Sequence, residues 1–246
     1  MVWASTAYRS TWSESLEQDN ARQRLAIVGT THVNKFSIER VRRTIADTRP
    51  SVVALELCEE RLAALRDKER DELGSPLRSG LLPWLLTLLE RAAGSLTDVF
   101  PGSEMLEAVK EAEKVEAQVV LIDRPIGLIL QDLRSIPPAE KVKIGVDVLV
   151  ALFTIAGRGR RGLPATADLD KLMKEFNTKY PTLSRILVRE RDRYMADRLQ
   201  EILRSSTGKI VAVVGLGHVK GILQHLVRCD QSSGREQLSL KYEWTL

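Results

Sequence analysis

KIVAVVGLGHV, residues 209–219, places five consecutive apolar residues before Gly215 and then sets a histidine, His218, three residues beyond that glycine. A short run rich in Val and Ile, closed by glycine, reads as a strand buried on both faces. Three more segments share the pattern: RLAIVG (24–29), SVVALEL (51–57) and AQVVLID (117–123). Helical stretches lie between them. SIERVRRTIADTR follows the first, and SEMLEAVKEAEKVE precedes the third, with Ser103 as its expected N-cap and Leu106, Val109 and Val115 as an apolar stripe. A long helical insertion spans about 139–205. Strands alternating with helices predict an α/β fold, a mainly parallel buried sheet with flanking helices and this insertion.

The 246 residues are 43% hydrophobic and 28% charged, enough for one sizeable core. The expected organisation is a polar N-terminal extension, 1–22, followed by a single domain over 23–246. Cys58 and Cys229 have neither disulfide nor metal-knuckle spacing, so a reducing, cytoplasmic setting is expected. The N-terminal segment lacks the apolar core of a signal peptide. LLPWLLTLL (81–89) and VDVLVALFTIA (146–156) fall short of the roughly 20 residues a bilayer helix needs. Core packing or a homodimer seam is the expected use of both, with peripheral membrane contact as the lesser alternative. A net charge of +4 with interleaved signs, and no aromatics among the basic residues of RGRRG (158–162), argues against nucleic acid as a partner.

Every expected strand ends in ionisable groups. The first runs through Gly29 to His32, the second into Glu56, Cys58 and Arg61, the third into Asp123 and Arg124, and the fourth into His218. In open α/β sheets the crevice beyond the carboxyl ends of the strands is where ligands bind, so these residues are expected to converge. A neutral imidazole there can ligate a divalent ion or act as general base. Two G-x-x-H elements use two of the chain's three histidines; a hydrogen-bonded structural role is the plainer alternative. Glu56, among apolar neighbours, needs a partner, either an ion pair with Arg61 or Arg124 or a metal. Cys58 reads as core, and His225 as surface or structural. In LVRERDRYMADRLQEIL (187–203), Val188, Met195, Leu199 and Ile202 form an inward stripe that includes Arg191 and Asp192. Arg191 either ties the helix to Glu56 or Asp123, or steadies a substrate oxyanion.

Taken in order, IVGTTHV (27–33), ELCEERLAAL (56–65), LIDRPI (121–126), RERDRYMADRL (189–199) and VVGLGHVKGI (213–222) resemble the TraB/PrgY family of the wider TraB, GumN, TIKI and erythromycin-esterase-like superfamily. The likeness is strongest to archaeal and eukaryotic members. It implies that His32, His218, Glu56 and Arg191 share one pocket, with hydrolysis as the recurring theme of the superfamily. The expectation is a metal-assisted hydrolase acting on peptides, with manganese, cobalt or zinc held by His32, His218 and Glu56, and with heme left open by a heme-binding relative. Arg61, Asp123, Arg124 and Asp192 are the expected substrate-binding residues. A non-catalytic module that captures a peptide or small-molecule ligand in the same crevice is the competing expectation.

Overall fold

In a computed structural model of the chain, residues 24–30, 35–70, 102–158, 169–233 and 240–243 are described. In chain order the first half runs β1 (Leu25–Thr30), α1 (Lys35–Thr48), β2 (Val52–Leu55), α2 (Glu59–Arg70), α3 (Ser103–Lys114) and β3 (Gln118–Leu121). The helical insertion follows as α4 (Ile126–Leu133), α5 (Pro138–Arg158), α6 (Leu169–Lys179) and α7 (Pro181–Ser184). A π-helical turn, Arg185–Arg189, leads into α8 (Glu190–Ser205), then β4 (Ile210–Gly215), α9 (Leu216–Ser233) and β5 (Leu240–Glu243).

The strands form one sheet in the order β3-β2-β4-β1-β5, and every pairing is parallel. β5, which pairs with β1, was not foreseen from the sequence. Helices cover both faces, as a fully parallel sheet requires. On one face Val28, Val53, Leu55, Val211 and Val213 pack with Val41 and Ile45 of α1 and with Met105, Ala108 and Val109 of α3. On the other, Ile27, Ala54, Ala212 and Val214 meet Met195 and Leu199 of α8 and Ile222 and Leu226 of α9. The alternation of side chains along each strand sorts these two sets, because successive Cβ atoms point to opposite faces.

Three sequence expectations are corrected. β3 is an edge strand with partly exposed residues rather than one buried on both faces, since β2 is its one neighbour among the described residues. Ser103 is the first residue of α3 and not its cap; Gly102 holds that place at φ 91°, where no side-chain cap bond forms. Val188 is only half-buried, and Ile186 is fully buried in its stead. The π turn holds more residues per turn than an α-helix and so shifts the buried register ahead of α8.

VDVLVALFTIA lies in α5, where Val142 and Val146 are exposed and side chains from 149 onward lie outside the described residues. LLPWLLTLL, His32 and residues 159–162 of the basic cluster also lie outside them. Among the described residues no helix is long and apolar enough to cross a membrane.

Candidate functional site

Connections leave β1 and β2 toward α1 and α3 on one face, and leave β3 and β4 toward α8 and α9 on the other. β4 lies between β2 and β1, so both of its neighbours depart to the opposite face. The carboxyl end of β4 is therefore a topological switch point, the usual ligand position in such sheets. Gly29 and Thr30 of β1 stand in register with Val214 and Gly215 of β4. Gly29 is tightly covered there: a Cβ would come within 2.9 Å of Leu216 Cδ1 and 3.1 Å of Val219 Cγ2.

Glu56 follows β2 directly and is buried. Its backbone N–H donates to Val213 O at 3.0 Å, which prolongs the ladder and fixes the side chain beside β4. Oε2 accepts the Gly215 N–H at 2.5 Å, and Oε1 accepts Arg191 NH2 at 2.5 Å. Burial alone would raise the carboxyl's pKa, but positive charge on His218 and Arg191, the Gly215 N–H and Arg61 together bring it down to about 2. Asp123, beyond β3, is buried as well; Arg191 grips it through Nε at 2.9 Å and NH2 at 2.8 Å. Arg61 NH1 adds a bond at 2.9 Å to the same carboxylate.

Arg191 is thereby saturated. A guanidinium has five N–H groups, and here Nε takes Asp123, NH2 takes Glu56 and Asp123, and NH1 takes Leu187 O at 3.2 Å and His218 Nε2 at 3.1 Å. Burial opposes its charge and the two carboxylates more than restore it, so its pKa is raised. Asp192, the next residue, holds the other ring nitrogen, with His218 Nδ1 at 2.6 Å from Oδ1. Burial raises the Asp192 carboxyl's pKa, and His218 offsets part of that rise. His218 Nε2 also lies 3.4 Å from Glu56 Oε1.

The structure thus joins Glu56, Arg61, Asp123, Arg191, Asp192 and His218 in one network. Arg124 stands beside it, bound to Glu190 at 2.8 Å and Asp132 at 2.6 Å. Cys58 is a buried thiol whose pKa burial raises, and His225 is partly exposed on α9. Sequence reasoning missed three parts: the Gly215 N–H, Glu190 and Gly221. A Cβ on Gly221 would fall 1.9 Å from Asp192 Oδ2, so the glycine makes room for the carboxylate. A second glycine one helical turn after Gly217 was the available signal.

A family model for the TraB/PrgY/gumN family matches residues 16–158 and 162–231, most of the chain and every residue of this network. The chain belongs to that family. An uncharacterized protein of Methanocaldococcus jannaschii is 31% identical over 230 residues, covering 87% of this chain and 56% of its own. A TraB domain-containing protein of Bos taurus is 30% identical over 244 residues, covering 86% and 64%, and one of Homo sapiens is 30% identical over 231 residues, covering 81% and 61%. The chain therefore spans about three-fifths of the length of these relatives.

In this TraB-family site His218 Nε2 faces Glu56 Oε1, an imidazole nitrogen and a carboxylate oxygen of the kinds that ligate divalent ions, but both are engaged by Arg191. Among the described residues no group of three His, Cys, Asp or Glu side chains gathers to hold one. His32, the expected third ligand, lies outside them.

Proposed function

We propose that this TraB-family chain is a hydrolase that cleaves peptides bound at the carboxyl end of β4. The observation that supports the reading is His218 fixed by Asp192 at Nδ1, with Nε2 turned toward Glu56. A buried carboxylate that orients an imidazole is the arrangement of a general base. In this reading Nε2 takes the proton of a water attacking the scissile carbonyl and returns it to the leaving amine. Glu56, pinned by the Gly215 N–H, keeps the ring's neighbourhood negative as that proton arrives. In a metal-assisted form of the same reading, His218, Glu56 and His32 would hold a manganese, cobalt or zinc ion, with Nε2 then a ligand in place of the base; the ion would polarise the carbonyl and lower the pKa of water. Arg191 contributes position and not an oxyanion contact, because each of its five N–H groups already has an acceptor.

That same saturation favours one other reading, a module that binds a peptide or small-molecule ligand without turnover. Purified protein, assayed with a quenched-fluorescence peptide library in the presence of Mn²⁺, Co²⁺ or Zn²⁺, separates the two. Turnover that His218→Ala removes while thermal stability persists supports the hydrolase. Saturable peptide binding with no cleavage under any of the three ions overturns it in favour of the module.

A further inference from the structure

Two consecutive residues of one helix grip the two nitrogens of one imidazole with opposite hydrogen-bonding character. Arg191 NH1 can only donate, so Nε2, 3.1 Å away, must present its lone pair. Nδ1 must then carry the ring proton and donate it to Asp192 Oδ1 at 2.6 Å. We infer that Arg191 and Asp192 are positioning residues forming a clamp that holds the His218 ring with Nδ1 donating to Asp192 and Nε2 covered by Arg191. The site is therefore latched: the Nε2 lone pair is not open to an incoming ligand until NH1 withdraws.

The rest of the network makes that withdrawal a local event. Nε and NH2 hold Asp123 by two bonds and NH2 also holds Glu56, so releasing Nε2 leaves the guanidinium anchored on both buried carboxylates. Arg61, bound to Asp123 from its more exposed side, keeps that carboxylate in place. Opposite the clamp, Gly221 leaves Asp192 the space to reach the ring. An electron-pair acceptor is the class of ligand that opens the latch, and a divalent cation, which would compete directly with NH1 for Nε2, is the probe that tests it. The clamp rests on the proposed hydrolytic reading only for what the freed nitrogen then does.

The test reads the tautomer, which turnover does not enter. Long-range ¹H–¹⁵N correlation spectra of the full chain near neutral pH should show His218 Nδ1 as the protonated, pyrrole-type nitrogen and Nε2 as pyridine-type. Asp192→Asn should keep this preference, because Arg191 still forces Nε2 to accept and so obliges the amide to present its oxygen to Nδ1, whereas Asp192→Leu, which leaves Arg191 as the one arm fixing the ring, should weaken it. Arg191→Lys, which keeps the charge but not the fork, should speed diethylpyrocarbonate modification of His218 by about tenfold relative to His225, on the order of what a hydrogen bond from a charged donor is worth. Co²⁺ should then shift the Nε2 resonance at lower concentration in Arg191→Lys than in the parent. The inverse tautomer in the parent chain overturns the clamp, as does a tautomer mixture there. A modification rate unchanged in Arg191→Lys overturns the latch. Lack of peptide turnover with the expected tautomer overturns only the hydrolytic reading.

Discussion

Glu56 leaves its partners only when it is protonated, and that gives the network an acid signature. Its folded-state pKa of about 2 lies below its ordinary value of 4.5, so the stabilisation is fully present above pH 4.5 and is lost as the pH falls toward 2. The linked free energy is roughly 3 kcal/mol for a shift of this size. Urea unfolding from pH 6 to pH 2.5 should show this loss in the parent chain, and Glu56→Gln should flatten that part of the profile. Equal slopes for both would mean that the carboxylate is not held as described. Gly221 gives a second test at this scale: Gly221→Ala drives a methyl into Asp192 and should cost about 1–3 kcal/mol as an overpacked contact. At the residue scale strand ends in a parallel sheet share one edge, and Glu56, Arg61, Asp123, Arg191, Asp192 and His218 do meet; Arg124 pairs with Glu190 and Asp132, and His32 lies outside the described residues. The sequence offered Glu56 or Asp123 as alternative partners of Arg191 without choosing, and the guanidinium binds both. The bond from the Gly215 N–H to Glu56 depends on the β2–β4 neighbour relation, which no local pattern encodes.

Among the elements, α8 matters most, because one helix supplies both arms of the clamp and much of a core face. Met195, Ala196, Leu199 and Ile202 bury its stripe against the sheet, which turns Arg191 and Asp192 toward the strand ends. The 3.6-residue period made this legible from Asp192 onward. It failed at Val188, where the π turn of Arg185–Arg189 interrupts the period, and such turns have no reliable sequence mark. Helix capping is similarly subtle: the start of α7 is held by Glu140 of α5, which accepts Leu183 N–H at 2.9 Å and Thr182 N–H at 3.3 Å from 40-odd residues away. The docking of α8 predicts a particular pattern of coupling. Arg191→Met strands two buried carboxylates and should destabilise the fold by roughly 3–5 kcal/mol. Adding Glu56→Gln removes one of the stranded charges and should recover part of that loss, but Asp123 still lacks its two bonds from Arg191. Further change of Asp123→Asn should recover more. Full recovery in the double variant, measured by chemical denaturation, would show that Glu56 alone depends on Arg191.

For the whole molecule the sheet order decides where the site lies and where the fold is vulnerable. Four of the five strands were legible from their apolar runs. Their order was not, since β1 and β2 are separated by β4, which comes more than 150 residues later in the chain. β5 escaped notice because LKYE carries two charged residues in four and so lacks the continuous apolar run of the inner strands. That composition suits an edge, where charge discourages pairing with another chain. β5 lies along β1 with Leu25 opposite Leu240 and Val28 opposite Glu243. Without it, the outer backbone N–H and C=O groups of β1 face water beside the buried Leu25, Ile27 and Val28. Truncation after Ser233 should therefore lower stability by about 2–4 kcal/mol, from several lost ladder bonds at about 1 kcal/mol each. It should also produce concentration-dependent association, because an uncovered apolar edge strand is a template for pairing. Thermal melts report the first effect and sedimentation velocity the second. Restoring only Leu240–Glu243 and its connecting residues should reverse both. A truncated chain that melts with the parent and sediments unchanged would show that β1 does not need this strand, and that its edge is protected in another way.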